Sequence, residues 1–88
     1  MIGPFNSLYL YLISQSENVN RGSYDSAVVC ASTAENASKV HPHSIIDWDG
    51  KTDKYKVWCD KEYVTVEFIG IAGDNVKENS VVCSSYNE

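Results

Sequence analysis

The sequence predicts an α+β fold, a four- or five-stranded, mainly antiparallel sheet with one short helix packed on one face. Three observations predict it. Residues 8–14 and 63–69 alternate with the period of two that a strand imposes. Residues 27–31, Ala-Val-Val-Cys-Ala, form a short apolar run rich in β-branched side chains, as a buried strand requires. A helix start and a helix stop then follow within the next eleven residues, 32–42. With 88 residues, the whole chain is expected to form a single domain, 1–88.

The first strand reads Leu-Tyr-Leu-Tyr-Leu-Ile-Ser over residues 8–14. Leu8, Leu10 and Leu12 point to one face; Tyr9, Tyr11 and Ile13 point to the other. Both faces are apolar, which suits a central strand with a helix over at least one side. The tyrosine face suits core packing, with hydroxyls that reach water. Residues 15–25 form a polar loop carrying Asn18, Asn20 and Gly22 as turn formers, with Arg21 as the chain's one arginine. The second strand occupies residues 27–31.

Ser32 stands three residues before Glu35, the spacing of a capping box, in which each residue satisfies an orphan N–H of the helix start. Ala34, Ala37 and Val40 then fall on one narrow helical face. Pro42 has no N–H and pushes His41 out of the helical region, so a two-turn helix ends near Val40. So short a helix is not stable alone in water and depends on packing.

Residues 43–54 are acidic and turn-rich, with Asp47, Trp48, Asp49, Gly50 and Asp53. Asp47-x-Asp49-Gly50 matches the opening of a calcium loop, but the later ligand positions and the closing glutamate do not follow. Trp48 is placed at the edge of the core. Residues 55–59 and 63–69 read as two more strands around Asp60-Lys61-Glu62. In the second, Val64, Val66 and Phe68 face inward, and Gly70 and Gly73 end it. Residues 81–85 form a last strand.

Composition excludes several function classes. The formal charge of −5 leaves no basic patch for nucleic-acid phosphates, so no direct nucleic-acid binding is expected. No apolar run is long enough to span a membrane. The first residues lack the positive region of a signal peptide, so a cytoplasmic location is expected. The odd cysteine count, Cys30, Cys59 and Cys83, in apolar surroundings, reads as reduced, buried thiols. His41, His43 and the cysteines lack zinc-ligand spacing, so no metal and no other cofactor is expected. Neither histidine stands in a nucleophile signature and no phosphate-binding glycine loop occurs. The expected protein is therefore not an enzyme and has no catalytic residues.

The residue types best suited to binding are Arg21 and Tyr24, in a loop whose base is fixed by the following strand. Arg21 can clamp a phosphate or carboxylate through two parallel hydrogen bonds. The candidate contact surface is Asn18, Asn20, Arg21, Tyr24 and Asp25. Asp47, Trp48 and Asp49 form the competing acidic surface.

The run Tyr24-Asp25-Ser26-Ala27-Val28-Val29-Cys30-Ala31, the stretch from Ala37 to His41-Pro42, Trp48, Ile69-Gly70-x-Ala72 and Val82-Cys83-Ser84-Ser85-Tyr86 together resemble a family of small bacteriophage and prophage proteins. Cys83 and Tyr86 depart from the alanine and phenylalanine of that pattern. The resemblance implies an accessory protein of the phage, working in the cytoplasm of the bacterial host. The expected function is to bind and block a host defence protein, in the manner of an anti-CRISPR. The alternatives are a binder that sequesters a nucleotide immune signal and a phage structural or regulatory protein. A pocket with Arg21 and Tyr24, shared across an oligomer, favours the nucleotide; a flat acidic or aromatic face on a monomer favours the protein.

Overall fold

Two strands hold the interior, and the other two flank them. The computed structural model describes residues 8–17, 22–43, 48, 50 and 58–86. β1 (Tyr9–Ser14) and β2 (Tyr24–Ala31) pair antiparallel from Tyr9 opposite Ala31 to Ser14 opposite Ser26. β3 (Thr65–Ile71) pairs antiparallel with β1, and β4 (Ser80–Tyr86) with β2. The described sheet thus has four antiparallel strands in the order β3-β1-β2-β4. β3 and β4 follow one another in sequence yet lie on opposite edges. The crossing between them runs past one end of the sheet, where Ala72 N–H donates to the Leu8 carbonyl and Asn79 N–H to the Cys30 carbonyl. Asn79 takes a left-handed φ of 59° there, which asparagine tolerates better than most residues.

The core gathers Tyr11, Ile13, Ala27, Val29, Ala31, Ala37, Val40 and Trp58. The tyrosine-bearing side of β1 is therefore a packing surface, as its alternation predicts. Leu10, Leu12 and Val28 on the alternate positions are half-buried.

The helix is shorter than its sequence signals predict. α1 covers only Ala34–Ala37, and Ser38 and Lys39 continue as a turn. Its N-cap is Thr33, not Ser32. The Thr33 hydroxyl accepts from Asn36 N–H at 3.1 Å, while Ser32 Oγ accepts from the Asn36 side-chain amide at 3.2 Å. Glu35 does not close a capping box; it lies 3.6 Å from Lys39 Nζ in an exposed pair that contributes little. Ala34, the first residue of the helix, is exposed, while Ala37 and, beyond the helix, Val40 are buried. α1 lies against β1, β2 and β3.

Other expectations are corrected in the second half. Of the predicted strand over 55–59, residues 55–57 lie outside the described residues, and Trp58 and Cys59 are not strand. Trp58 is instead fully buried, the largest such side chain among the described residues. Tyr63 sits in a single 3-10 turn, Lys61–Tyr63, that precedes β3. Gly70 lies inside β3 rather than ending it. The register of β3 against β1 shifts between Phe68 and Gly70, leaving Ile69 as a bulge. Val64 and Val66 pack on the core as predicted, but Phe68 is 57% exposed. All three cysteines are unpaired, with Cys30 and Cys59 buried; Cys83 is exposed, against expectation. No described helix is long and apolar enough to cross a membrane.

Candidate binding site: an aromatic and histidine cluster

The end of the sheet opposite the β3–β4 crossing collects aromatic and histidine side chains from three parts of the chain. Tyr24 opens β2 and is not a loop residue. Its backbone is held by Gln15, whose side-chain amide donates to the Tyr24 carbonyl at 2.8 Å and whose N–H donates to the Asp25 carbonyl at 3.1 Å. Gln15 and Ser23, read from the sequence as parts of a solvated loop, are both buried. The polar residues flanking the loop are thus anchors rather than surface.

Tyr86, at the end of β4, is in register with Tyr24, and the two rings lie 5.0 Å apart at 60°. Gly22 lies beside this pair, and its backbone conformation rather than lack of space calls for glycine. Its φ of +84° suits glycine, and a Cβ there would stand 3.7 Å from the Tyr86 hydroxyl. Tyr24 Oη lies 3.4 Å from His43 Nδ1, with the rings 6.4 Å apart. His43 N–H in turn donates to His41 Nδ1 at 3.0 Å. An Nδ1 that accepts a hydrogen bond has no proton, so the neutral His41 ring carries its proton on Nε2. Trp48 meets the His41 ring edge-on at 5.5 Å and also packs against the core.

The result is a continuous row: Tyr86, Tyr24, His43, His41, Trp48. Its inner end is dry, since His41 and Pro42 are buried; its outer end is open, since Tyr86 is 52% exposed. Pro42 stands between the two histidines, beyond the turn that follows α1; His41 is buried, and His43 lies beside Tyr24. Asp25, beside the row, is half-buried, and its carboxylate accepts from the Ser26 hydroxyl at 3.3 Å.

Of the residues expected to bind, Tyr24 and Trp48 belong to this row and Asp25 adjoins it. Asn18, Asn20, Arg21, Asp47 and Asp49 lie outside the described residues. Arg21 directly precedes Gly22 in the chain. Sequence reading weighed His41 and His43 only as metal ligands or catalytic bases, and passed over Tyr86. The signal available for Tyr86 was its place at the end of an uncharged strand.

The chemistry open to this row is aromatic contact and hydrogen bonding. Burial, with the nearby carboxylates of Glu17 and Asp60 adding to it, pushes the Cys59 thiol up to about 11. Cys30 is raised as well, by burial first and by Glu78 second. Both shifts disfavour the thiolate, the opposite of an activated nucleophile. Among the described residues no three His, Cys, Asp or Glu side chains converge to hold a metal ion. No family model, curated protein or solved structure matches this chain.

Proposed function

We propose that the protein is a non-enzymatic phage accessory protein that binds and blocks a host antiviral defence protein. Its contact surface is the aromatic and histidine end of the sheet, to which Arg21, next to Gly22 in the chain, is expected to contribute. The observation that carries the reading is the open half of the row. Tyr86 and Tyr24 sit on paired strands, so little conformational freedom is lost when a partner covers them, and tyrosine and arginine are the residue types in which interface energy concentrates. The resemblance to phage and prophage proteins supplies the partner class and the host cytoplasm. The chain's charge of −5 argues against a nucleic-acid partner.

The same rings carry the alternative reading. The tilted rings of Tyr24 and Tyr86 can pack against a base while Arg21 holds a phosphate, which would sequester a nucleotide signal. One experiment separates the two. The tagged protein is incubated with host lysate, and bound proteins and nucleotides are identified by mass spectrometry. A single host protein whose purified form binds wild type, and binds Tyr86→Ala and Arg21→Ala at least tenfold more weakly, supports the first reading. A nucleotide released on denaturation, with no protein retained, replaces it with the second. Full binding by both variants would overturn the site.

A further inference from the structure

β3 presents a second surface, apart from the aromatic and histidine row. Among the described residues it has one strand beside it, β1, and its other edge is unpaired. Edge strands are commonly protected by charge, proline or brevity. β3 has seven residues and no proline.

Its register with β1 sorts its side chains by face. Val66 and Phe68 stand opposite Ile13 and Tyr11, and Ile71 opposite Tyr9, so all three belong to the tyrosine face of the sheet. Thr65 and Glu67 stand opposite Ser14 and Leu12, on the other face. Phe68 and Ile71 are 57% and 75% exposed, and Phe68 meets Tyr9 and Tyr11 edge-on at 5.8 and 5.9 Å. One face of this edge is thus apolar, and the other is polar and acidic. The charge has a single sign over a longer stretch. From Glu62 to Asp74 the chain carries three carboxylates, Glu62, Glu67 and Asp74, and no lysine or arginine. All three are exposed. Lys61, just before this stretch, lays its side chain along Gly50.

We propose that β3 accepts an extended segment of a basic protein partner as an added strand of the sheet. The segment alternates apolar residues, which cover Phe68 and Ile71 on the tyrosine face, with lysine or arginine, which meets Glu67 on the other.

Charge complementarity selects this occupant. Main-chain hydrogen bonds pair a sheet edge with any extended strand, so the side chains decide which one it takes. A second copy of this chain brings the same carboxylates to the edge, and with a charge of −5 on each copy the two repel. A nucleic acid or an anionic membrane meets the same repulsion. A neutral apolar strand covers Phe68 and Ile71 but gains nothing from Glu62, Glu67 or Asp74. A segment with basic and apolar residues in alternation satisfies both faces at once. β4, on the opposite edge, carries no charge from Ser80 to Tyr86 and makes no such selection. This surface does not depend on the site proposed above.

A nuclear magnetic resonance titration of the isotope-labelled full chain tests this. The probe is a blocked peptide, as long as β3, that alternates valine and lysine. It is expected to shift the backbone amides of β3 most, those of β1 next, and to leave β4 unchanged. Raising the salt weakens binding at least tenfold, because the attraction is between exposed charges. Glu67→Lys and Phe68→Ser each weaken it at least fivefold with unchanged circular dichroism, and Val82→Ser on the other edge leaves it intact. The same peptide with glutamate in place of lysine does not bind. No saturable shift at low salt, shifts centred on β4 or on Tyr24, equal binding by the glutamate peptide, or tighter binding at high salt would each overturn the proposal.

Discussion

β1 and β3 are neighbours in one sheet and both carry apolar side chains at alternate positions, yet they live in different environments. On β1, Tyr11 and Ile13 are buried, and Ile13 has no exposed surface. On β3, five of the seven residues are exposed, and only Val66 and Gly70 are partly covered. Both patterns read as strand because backbone geometry alone sets the period of two. What differs is the neighbour on each side. α1 touches both, but β1 lies between two strands, whereas among the described residues β3 has one strand beside it. Alternation reports the conformation of a strand; burial is decided by where the sheet puts it.

The sharpest way to break the inner half is to attack its cover. Ala37 is fully buried on α1, and Ala37→Asp would place a carboxylate there without a partner. Such a charge costs several kcal/mol, roughly the whole stability of a small domain. The variant is expected to be unfolded by circular dichroism. Trp58→Ala, which empties the largest buried site, is expected to cost about 3–5 kcal/mol in urea unfolding. An unchanged melting temperature in either variant would show that this cover is not structural.

The direct comparison pairs Ile13→Ala with Ile71→Ala. The first removes buried methyl groups and is expected to cost about 2–5 kcal/mol. The second changes a side chain that is largely in water in the single chain, and a surface change of this kind stays within about 0.5 kcal/mol. Equal losses would erase the distinction between the two strands.

Alkali tests the inner half through a single group. The folded Cys59 thiol titrates near 11, above its ordinary value of 9.0, because burial disfavours its thiolate. Below pH 9 the thiol is neutral in both states and the native state loses nothing. As pH rises from about 9 to about 11 the unfolded chain ionises first, so stability falls across that window by up to about 2–3 kcal/mol. Cys59→Ala should flatten this part of the stability profile relative to wild type. Thiol counting complements it: exposed Cys83 is expected to react at once in the native protein, and Cys30 and Cys59 only after unfolding.

The smallest effect concerns the helix start. Thr33→Ala removes the hydroxyl that caps Asn36 N–H and is expected to cost about 1 kcal/mol. Glu35→Ala, which breaks only an exposed pair, is expected to cost less than about 0.5 kcal/mol. The reverse order would restore the capping box that the sequence predicts.

By itself, the sequence determined those elements whose signal is local. The strand at residues 9–14, the apolar stretch of β2 and the last strand follow from side-chain alternation and β-branching. Each depends only on neighbours along the chain. Tyr24 and Trp48 were singled out by residue type, and the structure places both in one row of side chains. The tertiary structure decided the rest. Ser32 and Thr33 are both competent caps, and the packing of Ala37 and Val40 against the sheet chose between them. Trp58 looked like one residue of a strand, and only the assembled fold buries it in the core. Nothing in the order of β3 and β4 said that they would part to opposite edges and leave Phe68 and Ile71 in water. His41 and His43 had no sequence signal as partners of Trp48 and Tyr24, since each contact joins segments whose approach depends on the whole fold. Local backbone preferences act over a few residues and are written in the chain; strand order, burial and side-chain clusters are properties of the packed molecule.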